Sequence, residues 1–321
     1  MRLFSCPRCG AHVHFENDRC LICDAELGLR WPLREIVLAA DPLTRCVNAA
    51  LAGCNWLVEV PGELCASCHL TATRPADDDA AGLQEFRVAE AAKRWLLFEL
   101  GELDLPIVSA AEVVDGLAFD LLSSKREPVA TGHADGLITL DLAEADSAHR
   151  ESVRRELAEP YRTVLGHFRH EVGHYYQDLL APEGSDARNR CRALFGDDRI
   201  DYEEARQRYY ATGANPAWRE RFVSAYATMH PWEDWAETFA HYLHIRDALQ
   251  TASAYGLSSV DAGGPLTALV AEWQQLSISL NAMNRSLGLP DPYPFVLTAA
   301  VVEKLVFIDE LVRTGPFAVP G

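Results

Sequence analysis

Apolar residues recur at helical spacing in several segments of the 321-residue chain. Residues 86–100 contain few helix breakers, and Val301, Leu305, Ile308 and Val312 form an apolar stripe near the C-terminus. A stripe of this period is typical of a helix that packs one face into a core, rather than of a partner site. Further helices are predicted over residues 149–159, 161–180, 201–210, 218–228 and 232–249.

A strand and a linker complete the predicted organisation. Residues 136–142 alternate apolar and polar positions, as a strand does. Residues 71–82, with Pro75 and an Asp77-Asp78-Asp79 run, are predicted to be a polar linker. The pattern predicts an α+β, mostly helical domain over residues 83–321, preceded by a small cysteine-rich domain over residues 1–70.

The segment His170-Glu171-Val172-Gly173-His174 carries the first candidate chemistry. Residues four apart share one face of a helix, so the two histidines can bind one metal ion together. Glu171 can point toward the open side of that metal, where it could take a proton from water. The alternative is a helix that happens to carry two histidines.

A second helical segment offers carboxylates at the same spacing. Glu233 and Glu237 are four residues apart, and Pro231 suits the first turn of their helix. A catalytic zinc typically has three protein ligands, so one glutamate can complete the set while the other accepts the outward N–H of a ligand histidine. Spacing alone does not separate the two glutamates. The alternative is a solvated acidic face.

Two segments carry a family resemblance. Residues 166–176 and 233–244 resemble the Glu-zincin peptidases, and most closely a bacterial family of zinc-binding metallopeptidases with an N-terminal zinc ribbon. In the related anthrax lethal-factor group, the first glutamate of a Glu-x-x-Ala-Glu helix is the ligand and a tyrosine seven residues earlier assists. The resemblance therefore implies a zincin-like fold, Glu233 as the ligand, Glu237 behind it, and a catalytic role for Tyr226.

Two further expectations accompany the resemblance. The Tyr226 hydroxyl could donate a hydrogen bond to the substrate oxygen that gains charge, or Tyr226 could simply pack. In zincin-like folds an edge strand pairs with extended substrate, and the predicted strand at residues 136–142 is the candidate; the alternative is an internal strand. His167, His230, His241 and His244 are expected to be structural histidines rather than ligands.

The first four cysteines have the spacing of a structural zinc site. Cys6, Cys9, Cys20 and Cys23 form a C-x2-C-x10-C-x2-C pattern, with Gly10 after the first pair to permit a tight turn. Four thiolates so paired favour tetrahedral zinc, and a segment this short could not otherwise bury enough core to fold. Disulfides are the alternative.

The remaining cysteines offer a second, weaker pattern. Cys46, Cys54, Cys65 and Cys68 could hold another structural zinc, although only the last two are closely spaced. His69 could replace one of these cysteines. The ninth cysteine, Cys191, is predicted to be an ordinary thiol.

Charge and hydropathy restrict the partners. The formal net charge is −18, and residues 1–75 carry seven Lys/Arg against eight Asp/Glu. This balance argues against nucleic acid as a partner. It favours a cysteine-rich region that either contacts a protein or simply covers the catalytic domain. No apolar run reaches membrane-spanning length, and free thiols without a leader sequence suggest a cytoplasmic protein.

The sequence therefore predicts a zinc metallopeptidase that acts on a peptide or protein substrate, with one catalytic Zn²⁺ and one or two structural Zn²⁺ ions. Two alternatives remain. One is a zinc amidohydrolase acting on a small amide. The other is a zinc-ribbon scaffold or regulatory protein with a vestigial catalytic site, although such a protein would not need Glu171.

Overall fold

The computed structural model describes residues 1–125, 127–156, 161–261 and 263–315. The chain is a mixed α/β protein, about 48% helical, which confirms the predicted fold class. It divides into two compact units, Met1–Leu157 with Arg162–Phe168, and Ala158–Tyr161 with Arg169–Gly321. Among the described helices, none combines the length and the apolar content needed to cross a membrane.

The first unit contains the described strands and the first four helices. The strands are β1 (Phe4–Ser5), β2 (His12–Val13), β3 (Leu27–Arg30), β4 (Glu35–Leu38), β5 (Thr44–Arg45), β6 (Leu57–Val58), β7 (Thr71–Thr73), β8 (Ala118–Leu122), β9 (Gly132–Ala134) and β10 (Leu137–Asp141). The helices are α1 (Ala49–Ala52), α2 (Ala66–His69), α3 (Ala80–Glu102) and α4 (Ser147–Glu156).

Three short antiparallel hairpins form the cysteine-rich region. Strand β1 pairs with β2, β3 with β4, and β5 with β6. The first four cysteines and Cys46 lie in turns or next to strand ends, whereas Cys54 follows α1, Cys65 caps α2 and Cys68 lies within α2. Gly10 closes the first turn by donating its N–H to the carbonyl oxygen of Cys6, and its φ of +74° suits glycine.

A four-stranded sheet follows, in the order β7-β8-β10-β9. Strand β10 confirms the predicted strand at residues 136–142, and Ile138 and Leu140 point to the buried face. The expectation that it is an edge strand is wrong, because β10 pairs with β8 on one side and β9 on the other. Alternation reports which face of a strand is buried, not which strands pair with it.

The segment predicted as a linker contains regular structure at both of its ends. Residues Thr71–Thr73 form β7, which pairs in parallel with β8. Helix α3 begins at Ala80, where the Asp79 carboxylate accepts the N–H of Gly82 at 2.9 Å. An aspartate at this capping position explains why the helix starts within the polar run.

The second unit is helical. Its helices are α5 (Val164–Leu180, which begins in the first unit), α6 (Asp186–Phe195), α7 (Tyr202–Thr212), α8 (Pro231–Ala254), α9 (Leu266–Ser286) and α10 (Ala299–Thr314). The predicted helices at 86–100, 161–180, 201–210 and 232–249 are confirmed by α3, α5, α7 and α8. The helix predicted at 149–159 corresponds to α4, and residues 157–159 lie outside the described residues.

One predicted helix, over residues 218–228, is wrong. The structure has two short 3₁₀ turns there, Trp218–Glu220 and Tyr226–Thr228. The Ser224 hydroxyl accepts the N–H of Ala227, and the Thr228 hydroxyl donates to the carbonyl oxygen of Ala225. Such local bonds between side chain and backbone compete with a regular helix.

Candidate metal centre

Helix α5 carries two histidines and a glutamate at the candidate centre. His170 and His174 lie one turn apart, and their ring centroids are separated by 4.9 Å. His174 is buried, and Glu171 is 9% exposed. The helix thus presents both imidazoles on one side, as the four-residue spacing requires.

Gly173 brings α5 close to α8. A Cβ atom at Gly173 would lie 3.1 Å from the Cα of Ala236 and 3.2 Å from the Cβ of Phe239. The indole Nε1 of Trp235 donates a hydrogen bond of 2.8 Å to the carbonyl oxygen of Gly173. The close helix packing therefore leaves no room for a large side chain at this position.

The start of α8 positions the two glutamates. His230 caps the helix, since its Nδ1 accepts the N–H of Trp232 at 3.0 Å, and Pro231 occupies the first turn. Glu233 lies in that first turn, and Glu237 follows one turn later on the same face. The histidine at residue 230 is thus a structural residue.

His170, His174 and Glu233 form a group that fits Zn²⁺. Glu233 Oε2 lies 2.9 Å from His170 Nε2 and 3.6 Å from His174 Nε2. Tetrahedral zinc with ligands at about 2.0–2.1 Å requires ligand atoms about 3.4 Å apart. The measured separations bracket that value, and the donor types are those that zinc prefers.

Glu237 approaches the other nitrogen of the same imidazole. Its Oε1 lies 2.7 Å from His170 Nδ1. Burial alone would lower the pKa of His170, but hydrogen bonds to Glu233 and Glu237 outweigh it and hold the pKa well above its usual value. Two carboxylates flanking one imidazole favour a positive charge at this point, whether a proton or a metal ion.

Glu171 lies in a desolvated environment. Burial raises its pKa to about 7, and the negative charges of Glu233 and Glu237 add to the increase. A carboxylate with this pKa can both accept and release a proton near neutral pH.

Tyr226 lies beside His170 at the centre. Its ring centroid is 6.0 Å from that of His170, and its hydroxyl is hydrogen-bonded to that of Tyr202. Tyr202 donates to Glu233 Oε1 at 2.9 Å. Burial raises the pKa of both phenols, so both remain protonated at neutral pH.

Tyr202 is a residue of the centre that the sequence does not reveal. It is the first residue of α7, and no motif links it to Glu233, 31 positions later. The Asp201 carboxylate, which accepts the N–H of Glu204 at 2.7 Å, caps α7 and so fixes where Tyr202 lies. The capping pattern predicts the start of the helix, but only the tertiary structure reveals the contact.

The first four cysteines form a second metal-binding group. Their sulfur atoms lie within 4.8 Å of one another, with Cys6–Cys23 and Cys9–Cys20 Sγ distances of 3.7 Å. Four sulfurs at about 2.3 Å from a tetrahedral zinc are about 3.8 Å apart, whereas a disulfide is about 2.0 Å long. The group therefore fits Zn²⁺.

Cys46, Cys54, Cys65 and Cys68 form a third group. All four are buried, and the Cys54 and Cys65 sulfurs are 3.5 Å apart. The group fits a second structural Zn²⁺, while His69, the proposed substitute ligand, is exposed and lies outside it.

The remaining candidate residues lie outside the three groups found among the described residues. His241 Nδ1 lies 2.7 Å from the hydroxyl of Tyr293, and His244 packs against aromatic rings. Burial raises the pKa of Cys191 to about 12, which keeps it a thiol.

The comparisons with known proteins agree with this arrangement. Residues 82–311 match a family described as "Putative zinc-binding metallo-peptidase". The chain belongs to this family. Residues 3–79 match a zinc-ribbon domain. The chain thus has the two parts that the resemblance implied.

Relatives of this chain occur in mycobacteria. Uncharacterized proteins of Mycobacterium bovis and Mycobacterium tuberculosis are each 52% identical to it over 325 residues. Each match covers 97% of this chain and 95% of the relative. No solved structure matches the chain.

Proposed function

We propose that this chain is a zinc-dependent metallopeptidase that hydrolyses peptide bonds in a peptide or protein substrate, with Glu171 as the general base. The observation that carries this proposal is the convergence of His170, His174 and Glu233 beside the buried Glu171. Burying an isolated carboxylate is costly, so a scaffold protein would gain nothing from Glu171 at this position.

The proposed ligands are His170, His174 and Glu233. Glu237 would accept the Nδ1–H of His170 and so direct its Nε2 toward the metal. Zinc bound there would activate a water molecule and polarise the carbonyl group of the scissile bond.

Glu171 and the tyrosines would handle the protons and the developing charge. Glu171, with a pKa of about 7, would accept a proton from the attacking water and return it to the leaving amine. Tyr226 would donate a hydrogen bond to the carbonyl oxygen as it gains charge. Tyr202 would hold Oε1 of Glu233, leaving Oε2 for the metal.

The cysteine-rich region has a separate proposed role. Cys6, Cys9, Cys20 and Cys23 would hold one structural zinc ion. Cys46, Cys54, Cys65 and Cys68 would hold a second. These ions would stabilise a region whose hydrophobic core is small. The boundary with the peptidase region is placed within residues 71–82. The mixed charges of this region suit contact with a protein.

The test is the Glu171→Gln variant. Glutamine is nearly isosteric but cannot accept the proton, so zinc content should remain while cleavage of a peptide pool falls by about 100-fold or more. Zinc is measured by elemental analysis and cleavage by mass spectrometry. Glu303→Gln, an exposed position on α10, is the matched control and should retain activity.

Full activity of zinc-loaded Glu171→Gln protein would remove Glu171 as the base. Cleavage of small amides but of no peptide by the wild-type protein would instead support an amidohydrolase.

A further inference from the structure

An open pocket of about 370 Å³ lies between α7 and the 3₁₀ turn Tyr226–Thr228 in the second unit. Residues of both walls line it, together with the loop that follows α7: Arg208, Tyr209, Thr212, Asn215, Thr228 and Met229. The residues that line this pocket have no role in the metal centre described above.

Each wall of the pocket carries one of the two tyrosines of the metal centre. Tyr202, which contacts Glu233, starts α7, and Tyr209 lies seven residues later on the same face. The Tyr209 ring is 6.0 Å from the Tyr226 ring, which is itself 6.0 Å from that of His170. The pocket therefore lies next to the metal centre, with Tyr209 and Tyr226 between them.

The distance along α7 from Tyr202 to the pocket can be expressed as a number of residues of an extended peptide. At a rise of 1.5 Å per residue, the part of α7 that lines the pocket, from Ala205 to Thr212, lies about 5 to 15 Å from Tyr202 along the helix axis. An extended peptide advances about 3.3–3.6 Å per residue. A substrate cut at the metal centre could thus place a group in the pocket roughly two to four residues from the cleaved bond.

Arg208 and Asn215 offer hydrogen-bond donors in the pocket, whereas the hydroxyls of Thr212 and Thr228 donate to backbone carbonyl oxygens. Arg208 is exposed, and the described part of the chain provides no carboxylate oxygen within 4.0 Å of its guanidinium. Asn215 Oδ1 accepts the N–H of Ala217 at 2.9 Å, which turns its amide NH₂ the other way. No acidic residue is found among the described residues that line the pocket.

We propose that this pocket is a substrate subsite for a carboxylate group, recognised by Arg208 with help from Asn215. The chain has a net charge of −18, so an acidic segment is repelled over most of the surface and attracted where an arginine lacks an acidic partner. The C-terminus of α7 itself carries partial negative charge, so a carboxylate bound here depends on the guanidinium. The subsite rests on the proposed peptidase function.

The test measures binding and cleavage separately. One peptide pool contains Asp and Glu, and a second pool replaces them with Asn and Gln; each is made with a free C-terminal carboxylate and with a C-terminal amide. Binding is followed by fluorescence anisotropy with zinc-loaded Glu171→Gln protein, which should bind without cutting. We expect the acidic pool to bind about fivefold more tightly than the neutral pool, with the preference lost in Arg208→Glu and largely retained in Arg208→Lys.

Arg206→Glu is the matched control. Arg206 is an exposed arginine on the same helix, paired with Glu203 at 2.7 Å, and should leave the preference unchanged. In the active protein, Arg208→Glu should lower kcat/KM about tenfold on acidic peptides and little on neutral ones. A preference that depends on the free C-terminus would identify the terminal carboxylate as the bound group, and one that persists in the amides would identify a side chain.

Two outcomes overturn the subsite: equal binding of both pools by the wild-type protein, or an equal loss in Arg206→Glu and Arg208→Glu. The proposed function fails separately, if zinc-loaded wild-type protein binds peptides but cuts none of them.

Discussion

At the scale of single residues, the two glutamates of α8 differ in which nitrogen of His170 they approach. Glu233 faces Nε2 and Glu237 faces Nδ1. An imidazole that donates Nδ1–H to one carboxylate can offer only Nε2 to a metal, on the side of the other carboxylate. His174 also lies on the Glu233 side, with its Nε2 3.6 Å from the Glu233 carboxylate. The proposed ligand is therefore Glu233.

The Glu233→Ala and Glu237→Ala variants test this assignment. Glu233→Ala should lose the catalytic zinc, because two histidines alone bind it weakly. Glu237→Ala should keep a site whose affinity is lowered by about ten- to a hundredfold. Both are measured in one chelator titration, with the cysteine-bound zinc counted separately. If Glu237→Ala lost the zinc while Glu233→Ala kept it, Glu237 would be the ligand and Glu233 would orient His170.

Tyr202 orients the carboxylate of Glu233, the proposed ligand. Its hydroxyl binds Oε1 of Glu233, while Oε2 faces both histidines. This division favours a carboxylate that binds metal through one oxygen.

Tyr202→Phe should therefore weaken zinc binding by about tenfold, since the carboxylate loses its fixed orientation. Tyr226→Phe is the matched variant: it should leave zinc affinity nearly unchanged and lower kcat. Chelator titration and peptide cleavage are measured on both proteins. Equal effects of the two variants on zinc affinity would contradict the separate roles.

At the scale of elements, the site depends on the close packing of α5 against α8. Tyr176 of α5 stacks on Phe239 of α8 with ring centroids 5.6 Å apart, and Trp235 is fully buried. Gly173 lies at the closest approach. The histidines and glutamates meet because these two helices are held together.

Substitution of Gly173 measures that packing. Alanine gains about 1 kcal/mol of helix propensity but meets the backbone of Ala236, so its net effect should be small. Valine forces the helices apart and should cost about 3 kcal/mol, with weaker zinc binding. Thermal unfolding and chelator titration are the measurements. A valine variant with unchanged stability and zinc affinity would contradict the tight contact.

The sequence predicts the long helices well and the connections poorly. Helices α3, α5, α7 and α8 follow from periodicity and capping because these are local properties. The 3₁₀ turns near Tyr226 depend on local hydroxyl bonds, and the position of β10 inside its sheet depends on pairing with distant strands. For the same reason the sequence motifs suggest His170, His174 and Glu233, whereas the contact of Tyr202 with Glu233 is visible only in the fold.

At the scale of the whole molecule, the two cysteine groups differ in how they are connected to the rest of the first unit. The first group includes the exposed Cys9. In the second group, Cys68 lies 3.9 Å from Glu90 of α3, which pairs with Lys93 at 2.6 Å. Arg94 donates to the carbonyl oxygen of Gly53 at 3.1 Å. These buried charges connect the second group to α3.

Zinc held by four thiolates carries a net charge of about −2, so a nearby cation stabilises it. Arg94, which is only 3% exposed, lies near enough to the second group for its positive charge to lower the pKa of Cys54. Removal of the second structural zinc should therefore disturb α3, whereas removal of the first should remain local.

We expect about three zinc ions per chain, one for each ligand group. Cys9→Ser should lower the count by one with little change in thermal unfolding. Cys68→Ser should also lower it by one, but with a fall of about 10 °C in the unfolding midpoint, because a buried site next to Glu90 is lost. Cys191→Ser is the control and should keep all the zinc, since this thiol belongs to no group. A single tightly held zinc in the wild-type protein would contradict the two structural sites, and equal unfolding midpoints for the Cys9 and Cys68 variants would contradict the coupling to α3.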